Sequence, residues 1–276
     1  IDVIRTAILP RQPGNEQHRI VSKLEKLLSK VEVCKDRLKK IPLILKRFRQ
    51  SVLASACSGR LTADWREKNP DVEPAKELVK RIIELPKNKK TRPRQNSKFI
   101  DSLYPESWEL VSTDVLFSFV TSGSRGWAKY YSDNGSLFIR IGNLEHRNIS
   151  LDLSRIQMVN PPEGPEKVRT RIRPNDILIS ITADVGMVAL VPEDIKEAYI
   201  NQHIALARPS EGFCTKYLAW YLSSSEGGLK QFQDLQRGAT KVGLGLDDIR
   251  NIYVPFPPLA EQHEIVCRVE SLFNLA

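Results

Sequence analysis

The sequence predicts an α+β protein: one mixed α/β globular domain joined to a long, coiled-coil-forming helix that pairs antiparallel with a C-terminal helix. Three observations carry that expectation. The two ends of the chain repeat each other. Residues 15–58 hold an unbroken heptad pattern. Residues 104–260 alternate short apolar runs with Gly- and Asn-rich punctuation.

Residues 1–28 align without gaps on residues 246–273, and twelve of the 28 positions are identical. The identities include Ile4/Ile249, Arg5/Arg250, Pro10/Pro255, Pro13/Pro258, Glu16/Glu261, Gln17/Gln262, His18/His263 and Ile20/Ile265. Solenoid units recur every few tens of residues, so a repeat this distant is a duplicated domain-plus-helix. The chain is expected to be a fragment of a longer parent, holding one full period and the edges of its neighbours.

In the helix, Ile20, Leu24, Leu27, Val31, Cys34, Leu38, Ile41, Leu45, Phe48 and Val52 alternate spacings of four and three. That is an a/d seam sustained over more than four heptads, and it requires a partner helix. Pro42 is expected to kink or interrupt it. The second repeat copy continues the seam at Ile265, Val269, Leu272 and Ala276, so residues 261–276 read as the start of a C-terminal helix. Asn15 can cap the first helix, and Glu16 and Glu261 suit the helix dipole. His18 and His263 share one first-turn position and read as local or interhelical contacts.

Gly59 ends the first helix. Residues 61–103 form a basic, Pro-containing connector, helical near Pro74–Leu85. Its run KNKKTRPRQNSK (87–98) holds six cations and no acid, and reads as a solvated linker that adds phosphate attraction. Residues 104–260 form the globular domain. Strands are expected at Leu137–Ile141, Ile177–Ile181, Met187–Val191 and Ile204–Ala207, and helices at Phe213–Ser223 and around Gly228–Leu235.

Composition narrows the function. A 41% hydrophobic chain of 276 residues can bury a core, and it has no apolar run of the ~20 residues a membrane span needs. Cys34, Cys57, Cys214 and Cys267 are scattered without a CxxC pair, which fits a reducing cytoplasm and argues against a disulfide scaffold or zinc site. The net charge of +9 favours polyanionic partners, nucleic acid first.

Five ordered segments make the chain resemble the DNA-specificity subunit of type I restriction-modification systems. They are Phe48–Thr62 (FRQSVLASACSGRLT); Thr121–Tyr131 (TSGSRGWAKYY) followed by Phe138–Leu144 (FIRIGNL); Asp176–Ser180 (DILIS) leading to Val188–Glu193 (VALVPE); Ala198–Ala205 (AYINQHIA); and Gly238–Lys241 (GATK) leading to Pro255–Gln262 (PFPPLAEQ). The resemblance implies two target recognition domains held apart by two antiparallel helices, each domain reading half of a split site in double-stranded DNA. The helices would fix the spacer and dock methyltransferase subunits, with restriction subunits joining through the complex. Residues 1–14 would then be the last strand of a preceding recognition domain, 15–60 the central conserved helix, and 104–260 the second recognition domain. The polypeptide would be non-catalytic, without cofactor or metal, and a half-subunit with two cohesive helical ends could homodimerise.

Base edges are read by Arg, Lys, Asn and Gln, and phosphates by cations, hydroxyls and backbone amides. The segment Thr121–Tyr131 offers Ser122, Ser124, Arg125, Lys129 and Tyr130, with Gly123 and Gly126 permitting a tight loop. Trp127 either packs in the core or touches sugar and base methyls. Arg140 follows the next strand. Lys167, Arg169, Arg171 and Arg173 alternate with Val168, Thr170 and Ile172, as on one face of a phosphate-binding strand. Arg237, Thr240 and Lys241 form a third basic, Gly-containing segment.

Two elements imitate catalysis. Asn160-Pro161-Pro162-Glu163 resembles the Asn-Pro-Pro-aromatic motif of adenine methyltransferases, but Glu163 cannot stack on a base. Asp194-Ile195-Lys196 matches a nuclease acid-x-Lys element but sits in an acidic turn with no evident partner acid. No Walker loop, HExxH or GxSxG is present. The competing reading is a helical protein-interaction adaptor without sequence-specific DNA binding.

Overall fold

The computed structural model describes residues 13–85, 104–237 and 243–275, with the backbone alone at Arg237. The expected strand before residue 13 and the 87–98 basic run lie outside the described residues. The chain divides into two units, Ile1–Phe48 and Arg49–Ala276.

The first unit is most of helix α1 (Gly14–Cys57). The helix starts two residues earlier than an Asn15 cap allows, because the Pro13 carbonyl accepts the N–H groups of Glu16 and Gln17. It runs on through Pro42. Proline removes one N–H from the ladder, and the exposed surface here lets water take the orphaned carbonyl. The seam is exposed at Ile20, Leu24, Leu27, Val31, Leu38, Ile41 and Phe48, and half-buried at Leu45.

In the second unit the last turns of α1 bury Val52, Ala56 and Cys57. Gly59, at φ 75°, then turns the chain in the left-handed region where glycine is favoured. The connector is more helical than the sequence suggests: α2 (Ala63–Lys68) precedes the expected helix, α3 (Ala75–Glu84). The amphipathic α3 buries Ala75, Leu78 and Ile82.

The domain core lies on both faces of one sheet. Strands β2 (Phe117–Ser122), β9 (Ile204–Pro209), β6 (Ile177–Ser180) and β7 (Val188–Leu190) stand in that order, all antiparallel. Successive strand side chains point to opposite faces. Ile177, Ile179, Ala205 and Ala207 therefore enter one core cluster, with helix α6 (Thr215–Ser223) and the C-terminal helix α9 (Leu259–Asn274). Leu178, Ile204 and Leu206 enter another, shared with Leu137, Ile139 and Ile200 of a second sheet. That sheet has the order β3 (Tyr131–Ser132), β5 (Gln157–Val159), β4 (Ser136–Ile139), β8 (Ala198–Ile200), and its β4–β8 pair is parallel. A two-stranded ladder pairs β1 (Glu109–Ser112) with β10 (Tyr253–Phe256); a one-turn helix α4 (Thr113–Leu116) follows β1.

The repeated Glu-Gln pair at the start of α9 is fully buried. Glu261 accepts from Thr62 Oγ1 at 2.6 Å, from Trp108 Nε1 at 2.8 Å and from the Arg66 guanidinium. Gln262 accepts the Cys214 N–H at 2.9 Å and donates to the Pro257 carbonyl at 2.8 Å. Arg268 adds a bond to the Leu61 carbonyl and pairs with Asp64. The apolar face of α9 is taken up by the domain: Ile265 and Val269 are in its core and Leu272 packs against it, so these three do not form a free seam. The heptad spacing misleads here because Val266 widens the stripe beyond two positions per heptad. His18 and His263 are both exposed.

Removing one member of a buried charged pair costs about 3–5 kcal/mol. Glu261→Ala should lower stability by about that amount, read as a shift of the urea midpoint. Among the cysteines, Cys34 and Cys267 are exposed and Cys57 and Cys214 buried. Burial pushes the Cys57 thiol up from 9.0 to about 12. The stability it contributes is whole below pH 9 and is lost as pH rises through about 12, because the unfolded thiol ionises first. At pH 8 a colorimetric thiol assay should count two fast thiols in the native protein and all four after denaturation.

Candidate nucleic-acid interface

The expected basic strand at 167–173 is instead a helix, α5 (Pro165–Thr170), followed by extended backbone at Arg171, which bridges Tyr199 antiparallel. Proline at the first helical position favours helix over strand. Lys167 pairs back to Glu163 at 2.5 Å, and Thr170 Oγ1 donates to the Glu166 carbonyl at 2.9 Å. The four cations therefore do not share one strand face.

Helix α5 docks beside the end of β2. The Arg169 guanidinium donates to Thr121 Oγ1 and to the Ser122 carbonyl. Glu166 accepts the Arg125 N–H at 3.3 Å and Trp127 Nε1 at 3.2 Å. Two stretches more than thirty residues apart thus converge, bringing Ser122, Arg125, Lys167 and Arg169 together at one short helix, with Lys129 and Tyr130 following on the same loop. Their roles differ. Arg169 is a strut, and Lys167 is held by Glu163. Arg125 and Lys129 are exposed, with Lys129 Nζ 5.0 Å from the Tyr130 ring centre.

Ser124 is fully buried and its hydroxyl donates to the Ile200 carbonyl at 3.3 Å, so it presents nothing to a ligand. Gly123 explains why: a Cβ there would lie 2.0 Å from the Asn201 carbonyl oxygen, so the backbone is pressed against β8's end. Trp127 is a core residue, 3% exposed, stacked on Phe138 at 6.0 Å and edge-on to Tyr199 at 5.5 Å.

Arg140 is half-buried where β4 ends, and Arg171 and Arg173 are exposed. Glu197, beside Arg171, is held below the usual carboxylate range chiefly by the Tyr199 hydroxyl 2.6 Å away. Sequence reasoning missed Arg208. It makes two 2.7 Å bonds to the carboxylate of Asp176 and lies over Phe119 at 5.7 Å. Burial pushes the Asp176 carboxyl up, against the opposing pull of Arg208. With Val168, Arg169 and Arg173 these two residues, Phe119 and Arg208, line a shallow depression. A basic residue at the end of a strand gave no distinguishing sequence signal. Arg237 ends helix α7 (Gly228–Arg237); its side chain, Thr240 and Lys241 lie outside the described residues.

Both imitations of catalysis have structural roles. The Asn160 N–H donates to the Tyr130 carbonyl at 3.0 Å, and Asn160 abuts Gly135, which turns at φ 126° before β4. Ile195 packs against the inter-sheet core, and its N–H closes a turn on Pro192. Among the described residues no group of His, Cys, Asp and Glu could hold a metal ion, and no helix is long and apolar enough to cross a membrane.

Comparison with known proteins gives this geometry a context. Residues 162–276 match the family model described as the type I restriction modification DNA specificity domain. The specificity subunit of the type I restriction enzyme EcoBI of Escherichia coli is 32% identical over 278 residues, which cover 99% of this chain and 53% of that protein. The EcoKI specificity subunit of E. coli K12 is 28% identical, over 97% of this chain and 51% of that one. The fold is similar to a crystal structure of the HsdS subunit from Thermoanaerobacter tengcongensis, with TM-score 0.54 and 20% identity over 97% of this chain and 53% of that one. A type I system S subunit from M. genitalium gives TM-score 0.51 at 12% identity, over 95% of this chain and 55% of that one. Residues 162–276 thus carry a type I restriction modification DNA specificity domain, and the chain spans about half the length of the specificity subunits it matches.

Two substitutions separate framework from surface. Gly123→Ala should cost about 1–3 kcal/mol, the range for overpacking a tight contact. Arg125→Ala, on the exposed side of the same loop, should move stability by less than about 0.5 kcal/mol. Paired urea unfolding curves check both.

Proposed function

We propose that the second unit reads one half of a bipartite double-stranded DNA site, and that the helices scaffold methyltransferase subunits and, through the complex, restriction subunits. The observation that carries this reading is the convergence of the 121–130 and 163–173 basic stretches around α5, which leaves Arg125, Lys129, Arg171 and Arg173 exposed about a rigid framework. Such cations supply phosphate contacts that fix register on the duplex without specifying sequence. The relatives' names as specificity subunits support the same reading and a non-catalytic role.

The exposed seam of α1 supports the scaffolding part. Seven large apolar residues in a/d register left in water call for a partner helix. A helix of a methyltransferase subunit, or of a second copy of this chain, would cover it. Sedimentation at micromolar concentration should show a dimer that Leu24→Glu with Leu38→Glu reduces to monomer; monomer alone in the parent chain excludes self-association.

Selection from a randomised duplex library, alone and with the methyltransferase partner at two salt concentrations, tests the reader. A motif of a few base pairs is expected. Arg125→Ala and Lys129→Ala should weaken binding to all sequences alike and lower the slope of log K against log salt by about 1 each. No binding under any condition would leave the helical adaptor.

A further inference from the structure

Three turns of the second unit meet where the ladders end, beyond Ser180 of β6, Ile200 of β8 and Ser122 of β2. Ser124 and Asn201 form an isolated parallel bridge, which ties the turn that follows β8 to the loop that follows β2. The Ile181 N–H donates to the His203 carbonyl at 3.0 Å, and the Leu244 N–H to the Ile181 carbonyl at 2.9 Å. The turn at 201–203 is thus fixed from two sides.

On this platform three side chains form a relay. His203 Nδ1 lies 2.6 Å from Thr182 Oγ1, and His203 Nε2 lies 3.2 Å from Gln202 Nε2. An amide nitrogen donates and does not accept, so Gln202 gives one N–H to His203 Nε2. The imidazole therefore carries its proton on Nδ1 and donates to Thr182. The His203 backbone N–H is itself held by Asn201 Oδ1 at 3.2 Å. All three side chains are half-buried, accessible at the surface yet restrained. Gln202 keeps its Oε1 and one amide N–H free of protein partners among the described residues.

An amide with one free donor and one free acceptor, held in a fixed plane, matches the major-groove edge of adenine. Oε1 accepts from N6–H and Nε2 donates to N7. Guanine offers two acceptors there and would set O6 against Oε1. We propose that Gln202 is a specificity-determining residue that reads an adenine edge in the major groove, with His203 and Thr182 as the positioning residues that fix its amide plane. This inference rests on the DNA-reading proposal and names the chemistry of one base contact within it. It differs from the phosphate contacts of Arg125 and Lys129 in being specific to one position of the motif.

The test uses the full chain assembled with its methyltransferase partner. Selection with the parent chain first defines the motif. Gln202→Ala should then lose preference at one adenine position, with affinity for the parent motif falling roughly 5- to 150-fold, the range of one good bidentate base contact. Gln202→Glu should move that position from adenine toward cytosine, whose N4–H a carboxylate accepts. Thr182→Val should blur the same position, and Thr182→Ser should keep it. A second arm leaves the protein untouched: 7-deaza-adenine at that one position should weaken binding, and at the other adenines of the motif should not weaken it through Gln202. If the parent chain enriches a motif and both Gln202 variants enrich it with unchanged position weights, the Gln202 assignment is overturned while DNA reading stands. If the parent chain enriches no motif, the reading and the assignment fall together.

Discussion

A carboxylate with no access to water must be fully partnered, and Glu261 is the place where this constraint organises the fold. Its three donors come from the turn after α1, from α2 and from the residue before β1. Leaving such a charge unpaired costs several kcal/mol, so the contact is satisfied as a set. The neighbouring Gln262 spans a fourth segment at Cys214. Together the two side chains fix where α1 ends, where α9 begins and how the chain enters the first strand. The apolar contacts of Val52, Ile265 and Val269 then have a defined register.

From that base the order is passed outward through a sheet buried on both faces. Alternate residues of β6 and β9 fill two different cores, so a shift of one residue would exchange both sets. Turns at the ends of such strands inherit their precision. Gly123 is the clearest case, because its backbone occupies space that any side chain would need. The surface around α5 is held just as firmly, by Arg169 and Glu166, which carry charge but use it internally. Counting cations therefore overstates the interface: Lys167 and Arg169 are framework, while Arg125 and Lys129 face solvent.

Much of the fold was legible in the sequence because its signals were local. The seam of α1 follows from spacing, its end from Gly59, and the central strands from short β-branched runs such as Ile177–Ile181. β2 went unseen because Phe117–Ser122 mixes polar and apolar residues without a clean period of two, and β8 because Ala198–Ile200 is only three residues long. The run 167–173 alternates like a strand, yet Pro165 and the Glu163–Lys167 pair outweigh the alternation and start a helix. Ser124 and Trp127 were placed by contacts with β8, some seventy residues away, which no local pattern encodes. Gln202 and His203 stood in a recognisable segment, but their relay with Thr182 depends on two turns meeting in space.

The terminal repeat gains a physical meaning from the second copy. Its identical positions are mostly those with a packing or bonding task there: Ile249, Pro255, Pro258, Gln262 and Val266 are buried, Glu261 is fully bonded, and Arg250 donates to the Val120 carbonyl at 3.1 Å. His263 is an exposed exception, while the exposed Asp247 accepts from Arg250 at 3.2 Å. The repeat is thus a record of framework rather than of chemistry, which is why its paired histidines mark no active site. Thr182, Gln202 and His203 all lie in the stretch between the two copies. On the proposed reading of DNA, that arrangement separates two demands. A fixed frame sets where the strand ends stand, and the turns mounted on it remain free to carry whichever amide, guanidinium or hydroxyl a given base edge requires.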